Sequence, residues 1–180
     1  MKILFASDLH GSKFYCNVLK NIICKEKPDK IVLLGDILYH GPRNPLPKHY
    51  NPQEVFKTLN TFKEKIICVR GNCDSEVDQM VLEFPIISDY NIINVDGINL
   101  FLTHGHIYNK DNMPNIGDND ILIHGHTHIN IIEKLEKGLY INPGSISMPK
   151  ENQENSYMIY EDKKFIIKNI EGKELKSIQI

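Results

Sequence analysis

The sequence predicts an α/β fold in which two mixed sheets pack face to face with helices outside. Three observations predict it. The first half alternates short apolar runs with amphipathic stretches, and the second half pairs short apolar runs across short turns. Five polar motifs, Asp8-Leu9-His10, Gly35-Asp36, Gly71-Asn72-Cys73-Asp74, Thr103-His104-Gly105-His106 and His124-Gly125-His126-Thr127-His128, each close an apolar run. Side chains so far apart in sequence can meet only if several strands end along one edge of a sheet.

Residues 2–6 form a short apolar run that reads as a buried strand. Gly11-Ser12 supplies a turn and a cap for a helix over about 13–25, with Phe14, Val18, Leu19, Ile22 and Ile23 on one face. Pro28-Asp29 ends it, and residues 30–34 read as a second strand leading into Gly35-Asp36. This β-α-β start implies parallel pairing with a right-handed crossover. Residues 37–51 are rich in Pro, His, Asn and Tyr without periodicity, as in a functional loop. Asn51-Pro52-Gln53-Glu54 begins a helix expected to run to about residue 63, and 66–69 is a third strand.

Beyond that point the pattern predicts hairpins. Runs 92–95 and 98–102 flank Asp96-Gly97, runs 131–135 and 139–141 flank Lys137-Gly138, and runs 158–160 and 165–170 flank Asp162-Lys163-Lys164. Residues 121–123 form a short strand into the histidine cluster. No repeat or linker interrupts the 180 residues, which read as one domain, 1–180.

The hydrophobic fraction of 41% and charged fraction of 24% are those of an ordinary globular protein. A net charge of -2 argues against an extended nucleic-acid surface, which needs a basic excess. Arg43 and Arg70 are the only arginines, so each matters near an anionic site. Cys16, Cys24, Cys68 and Cys73 form no C-x-x-C pair and are expected to be reduced, mostly buried thiols. The apolar start ends at Ser7-Asp8, too short for a signal peptide or a membrane span, so the expected location is the cytoplasm.

Asp8 and His10 alternate with Leu9, and in an extended segment they point the same way. Asp36 has two oxygens and can touch two cations, Asn72 offers an amide oxygen, and His104, His126 and His128 add imidazoles. This inventory suits Mn, Fe or Zn better than Ca or Mg, for which imidazole is a poor partner. A lone D-x-H, or a lone G-D after a strand, carries little weight. Three imidazoles within five residues have few uses outside metal binding.

The ordered set D-x-H, G-D, G-N-x-D, H-G-H and G-H-T-H resembles the calcineurin-like metallophosphoesterases. Residues 35–44, 70–80 and Asn142-Pro143-Gly144-Ser145 are similar to the bacterial YfcE-type phosphodiesterases within them. The resemblance covers the whole chain and is weakest beyond about residue 150. It implies a four-layer α/β/β/α sandwich with two divalent ions, Mn first and Fe or Zn as alternatives. One ion would take Asp8, His10, Asp36 and His128, and the other Asp36, Asn72, His104 and His126. The implied reaction is hydrolysis of a small phosphodiester by a hydroxide bridging the two ions. Arg43 and His106 are candidate substrate contacts, and His40 a candidate neighbour of the site.

One departure from the superfamily pattern stands out. Cys73 occupies the position where most members carry the histidine read as general acid, although the YfcE-type group shares the cysteine. A thiol of normal pKa is a weak acid at neutral pH. The competing reading of the chain is a partner-binding scaffold with a vestigial metal site, as in the retromer-subunit branch of the superfamily. Loss of a ligand would favour it, but all seven expected ligands are present. A nuclease would need a basic groove or added domains. The sequence names neither the substrate nor the oligomeric state; a homo-oligomer is compatible with it.

Overall fold

Strand β1 (Ile3–Ala6) is buried along its whole length, and its alternate side chains serve two cores. The computed structural model describes residues 1–180. Leu4 and Ala6 face the helices, whereas Ile3 and Phe5 face a second sheet. A strand covered on both faces reads as a continuous apolar run, as this one does. Helix α1 (Lys13–Glu26) begins at Ser12, whose hydroxyl accepts from the Tyr15 N–H, and ends on left-handed Lys27. It crosses over to β2 (Lys30–Leu33), which pairs parallel with β1.

Helix α2 (Pro52–Asn60) has the expected Asn51 cap and leading proline, but it stops at Asn60 rather than 63. Asn60 turns its amide onto the Val81 carbonyl and accepts from the Glu83 N–H, which draws the chain out of the helix. A 3-10 turn at Lys63–Lys65 leads to β3 (Ile66–Cys68), parallel to β2. A one-turn helix that the pattern did not predict, α3 (Glu76–Gln79), follows with Ser75 and Asp78 as a capping box.

The second sheet begins with the predicted hairpin of β4 (Tyr90–Val95) and β5 (Ile98–Thr103). Strands β6 (Ile121–Ile123), β7 (Asn130–Lys134) and β8 (Leu139–Pro143) complete it in the order β4-β5-β6-β8-β7. Strand β9 (Ser156–Glu161) then returns to pair antiparallel with β1. Its hairpin partner β10 (Lys164–Asn169) follows a turn in which Asp162 (φ 50°) and Lys163 (φ 59°) are both left-handed. A further strand, β11 (Glu174–Gln179), gives the first sheet the order β11-β10-β9-β1-β2-β3. Polar Glu-Leu-Lys-Ser-Ile-Gln, half exposed at an edge, left no apolar run to read.

The two mixed sheets stack as an α/β sandwich. Between them lie Ile3, Phe5, Val32 and Leu34 from one sheet against Leu100, Leu102, Ile121 and Ile141 from the other. Leu19, Ile23, Val55 and Leu59 of α1 and α2 cover the outer face of the six-stranded sheet. Over the five-stranded sheet the covering layer is loop, where Tyr108 and Ile116 pack on Phe101, Leu122 and Tyr140. All four cysteines are free; Cys16 and Cys68 are buried, but Cys24 is exposed on α1 and Cys73 half-buried, so burial is less general than expected. No helix is long and apolar enough to cross a membrane.

Glu26 ties three elements together at the end of α1. It meets Lys2 at 2.7 Å and Lys168 at 2.9 Å, and Tyr157 donates its hydroxyl at 3.1 Å. Burial pushes the carboxyl up, but the bonds from Lys2 and Lys168 outweigh it and hold Glu26 at about 2. A carboxyl depressed in the folded state adds stability above its unfolded value near 4.5, and that stability is lost as pH falls toward 2. Glu26→Gln is therefore expected to cost about 1–2 kcal/mol at neutral pH. In denaturant titrations its deficit against wild type should shrink below about pH 4.5. A deficit that stays constant from pH 7 to pH 2 would contradict this role.

Candidate metal centre

The motifs lie where the strands end, and the backbone turns sharply there. Asp8 (φ 57°), His10 (φ 50°), Asp36 (φ 55°), His126 (φ 65°) and His128 (φ 63°) are all left-handed. Each such residue costs on the order of 1 kcal/mol, less for Asp than for branched residues, and the surrounding bonds must hold it. The alternation of Asp8 and His10 therefore does not act through extended chain, as the spacing suggested. A turn folds both side chains inward.

Several bonds fix these turns. Beyond the end of β1, the N–H groups of Asp8, His10 and Gly11 donate to the carbonyls of Gly35, Asp36 and Ile37, so the two motif loops run as a pair. The hydroxyls of Ser145 and Ser147 both donate to the Asp8 carbonyl, at 2.9 and 2.6 Å. Asn142 donates to the Gly125 carbonyl at 2.7 Å and to the Thr127 hydroxyl at 3.0 Å. Asp74 accepts from the backbone N–H groups of Asp36, Ile37 and Gly71, each at 2.8 Å, and so clamps the second motif to the third. Burial, with Asp36 adding to it, pushes the Asp74 carboxyl up to about 6 against the pull of those N–H groups. A Cβ at residue 71 would sit 2.1 Å from Asp36 Oδ1, and one at 125 would sit 1.8 Å from Ser7 Oγ, so glycine is required at both.

All seven expected ligands converge. His10 Nε2 lies 3.3 Å from His128 Nε2, which lies 3.2 Å from Asp8 Oδ1. His104 Nε2 lies 3.1 Å from Asn72 Oδ1 and 3.2 Å from His126 Nδ1. Between the groups stands Asp36, whose Oδ2 is 3.6 Å from His10 Nε2 and 3.4 Å from His104 Nε2. Its other oxygen accepts from the Cys73 N–H at 2.8 Å.

These residues could hold two divalent cations, and the hydrogen bonds around them fit that use. The Nδ1 atoms of His10, His128 and His104 face the carbonyls of Tyr39, Met148 and Leu34 at 2.9, 2.6 and 2.6 Å. A carbonyl only accepts, so each Nδ1 carries a proton and each Nε2 is the atom left facing the centre, where a bound cation would take the place of any second proton. Asp8 Oδ1 is buried and makes no well-aligned hydrogen bond, its nearest polar neighbour being His128 Nε2 at 3.2 Å, and a cation would satisfy it.

The electrostatics agree. Burial opposes both ionised carboxyls, but the surrounding imidazoles of His128, His104 and His10 hold Asp8 well below the usual carboxylate range, and His104 lowers Asp36. Burial likewise opposes a charged His104, yet Asp36 raises that imidazole to about 9. Asp8 raises His128 against its burial. Burial lowers His10, and burial with His104 beside it takes His126 down to about 4. Two anions within a ring of imidazoles thus set a strong local demand for positive charge.

Outside the cluster opens a cleft of about 470 Å³, walled by Asp36, Asn72, Cys73, His126 and His128 together with Arg43. Thr127, from within the G-H-T-H motif, and Lys150, outside every motif, also line it. His106 is not on this wall. With His124 it lines an adjoining cavity that shares His126 and Thr127 with the cleft, and its ring is 5.4 Å from that of His104. His124 turns away from the cluster and stacks on Tyr140 at 4.7 Å, so one of the three clustered imidazoles packs instead. His40 lies between Tyr39 and Tyr50. Burial and the nearby carboxylate of Asp36 push the Cys73 thiol up to about 12.

Fold and donor set together define a metal-dependent phosphoesterase class, and residues 1–164 match the calcineurin-like phosphoesterase superfamily domain. The chain belongs to this superfamily, and membership implies divalent metals. Phosphodiesterase YfcE of Escherichia coli strain K12 is 45% identical over 157 residues, spanning 87% of this chain and 85% of that protein. Probable metallophosphoesterase YsnB of Bacillus subtilis strain 168 is 31% identical over 166 residues, 88% and 83% of the two chains. The solved structure of the E. coli YfcE phosphoesterase matches with a TM-score of 0.98 over 100% of both chains, at 39% identity across that longer alignment. Vacuolar Protein Sorting 29 from Cryptosporidium parvum shares the fold alone, with a TM-score of 0.66 and 18% identity over 99% and 98% of the chains.

The Asp74 clamp generates a prediction. Asp74→Ala leaves three backbone donors without their acceptor, each a charge-assisted bond worth about 1.5–3 kcal/mol. Thermal unfolding should drop by at least ~3 kcal/mol of stability, and metal retained after dialysis should fall because Asp36 loses its place. Wild-type stability with wild-type metal content would show that the clamp does not position the site.

Proposed function

We propose that this chain is a metal-dependent phosphodiesterase acting at a dinuclear centre, with residues 1–180 forming one catalytic domain. The observation that carries this reading is the placement of Asp36 Oδ2 between the His10 and His104 imidazoles, with a full donor set on either side. Asp8, His10, Asp36 and His128 would hold one cation, and Asp36, Asn72, His104 and His126 the other. Imidazole-rich, oxygen-containing donor sets favour Mn, Fe or Zn, and Mn is the metal we expect. The 45% identity to a protein named as a phosphodiesterase supports a diester as the substrate class. A scaffold role would leave this buried donor set without a use.

When bound, such a pair of cations supplies Lewis acidity at the phosphoryl oxygens and a water acidic enough to serve as nucleophile at neutral pH. The protein's own part is to orient and to hold charge. Asp8 and Asp36 stay ionised because their imidazole neighbours outweigh burial. The carbonyls of Tyr39, Leu34 and Met148 fix the ring orientations of His10, His104 and His128. The Thr127 hydroxyl lines the cleft beside the cluster, and Arg43 stands on the same wall as a contact for an anionic substrate. His106, in the adjoining cavity that shares His126 and Thr127 with the cleft, stays a candidate substrate contact.

Cys73 stands at the general-acid position, and a thiol, ordinarily near 9 and here half-buried, is a weak acid for protonating a departing alkoxide at pH 7. The site is therefore suited to esters whose leaving group departs without a proton.

Two measurements test this. Exhaustive chelation should abolish hydrolysis of bis(4-nitrophenyl) phosphate, and added Mn should restore it; substantial turnover by rigorously metal-free protein would sink the proposal. Cys73→His should raise the rate on alkyl or nucleoside diesters relative to aryl diesters, because only poor leaving groups need the proton. A well-placed acid is worth about 10²–10⁴-fold, and this unadapted pocket should give less. An unchanged ratio, with fold and metal content intact, would mean that Cys73 only packs.

A further inference from the structure

The cleft beside Asp36 carries more positive charge than a phosphodiester monoanion calls for. Its only carboxylate is Asp36, which is turned into the cluster, whereas both Arg43 and Lys150 stand on its wall. Neither is engaged by a carboxylate, in contrast to Arg70, which is tied to Asp89 at 2.6 Å. The one unpaired arginine of the chain is thus at the cleft.

The two cations come from separate connections, and the backbone of each is held. Arg43 lies in the β2–α2 loop, in a turn where the Asn44 N–H donates to the Gly41 carbonyl and the Asn44 amide donates to the His40 carbonyl at 2.9 Å. Lys150 lies in the β8–β9 connection. Its N–H donates to the His128 carbonyl at 3.2 Å, and its carbonyl accepts from the Gln153 N–H at 3.0 Å. His128 in turn bonds the Met148 carbonyl, so this connection is laced to the cluster at two points. Left-handed Glu151 (φ 53°) and Asn152 (φ 57°) make the tight turn that keeps Lys150 there.

A cation pair at a dinuclear centre already answers the charge of one scissile phosphate. Two further cations on the wall, with no acid of their own, complement a second anion. A cleft of about 470 Å³ has room for both groups. We propose that the substrate is a phosphodiester bearing a second anionic group of the phosphomonoester type, gripped between Arg43 and Lys150. This assignment of substrate class rests on the phosphodiesterase reading above.

The test compares two probes, thymidine 5′-monophosphate and thymidine 3′,5′-bisphosphate, by titration calorimetry on the Mn-loaded protein. The bisphosphate should bind about tenfold more tightly at low salt, and the advantage should narrow as ionic strength rises. In the double variant R43Q/K150Q, both changes at exposed side chains, the advantage should fall below about threefold. Equal affinities in wild type, or an advantage that survives in the double variant, would overturn the proposal. Hydrolysis of thymidine 5′-(4-nitrophenyl phosphate) is measured alongside. Its absence would count against the phosphodiesterase reading, while the binding comparison decides the anion site separately.

Discussion

The position of the Asp36 carboxylate is the constraint on which the rest of the structure depends. One of its oxygens faces an imidazole of each histidine group, and the other is occupied by the Cys73 N–H. A side chain so confined needs a left-handed backbone of its own, a glycine opposite it at position 71, and Asp74 to hold its N–H. Each requirement draws a distant segment into place. The parallel order of β1, β2 and β3 follows, because only adjacent parallel strands bring Asp8, Asp36 and Asn72 to one edge.

The second sheet supplies what the first lacks. Parallel pairing of β5 with β6 and of β6 with β8 puts residues 104, 124–128 and 142–147 at the same edge as Asp8. The serine hydroxyls after β8 bond the Asp8 carbonyl, so the two sheets are joined at the site by polar contacts as well as by the apolar core between them. Left-handed turns at five expected ligands are local costs, and the two packed sheets over-determine them.

Much of this was legible in the sequence. Strand ends, the two parallel crossovers and the hairpin turns follow from apolar runs broken by Gly, Pro, Asn and Asp. The residues that converge were legible for a chemical reason, since Asp, Asn and His repeated after strands have few other uses. Positioning residues were less so. Asp74 belonged to a recognised motif, yet its clamp acts on backbone groups of residues 36, 37 and 71, which only the tertiary pairing brings near. Lys150 sits outside any motif, and its place follows from a hydrogen bond to His128. His106 and His124 look like His126 and His128 in sequence, but only the latter two are left-handed, and His124 stacks on Tyr140 instead. The loop layer over the five-stranded sheet and the edge strand β11 lack the periodicity that makes an element readable.

The central claim is that one carboxylate joins two cation sites. Titration of the metal-free protein with Mn, followed by electron paramagnetic resonance and equilibrium dialysis, tests it most directly. The account predicts two tightly held Mn per chain with the exchange-coupled spectrum of a bridged pair, and loss of that coupling in Asp36→Asn. A single bound Mn, or two magnetically isolated ions unaffected by the Asp36 change, would contradict it.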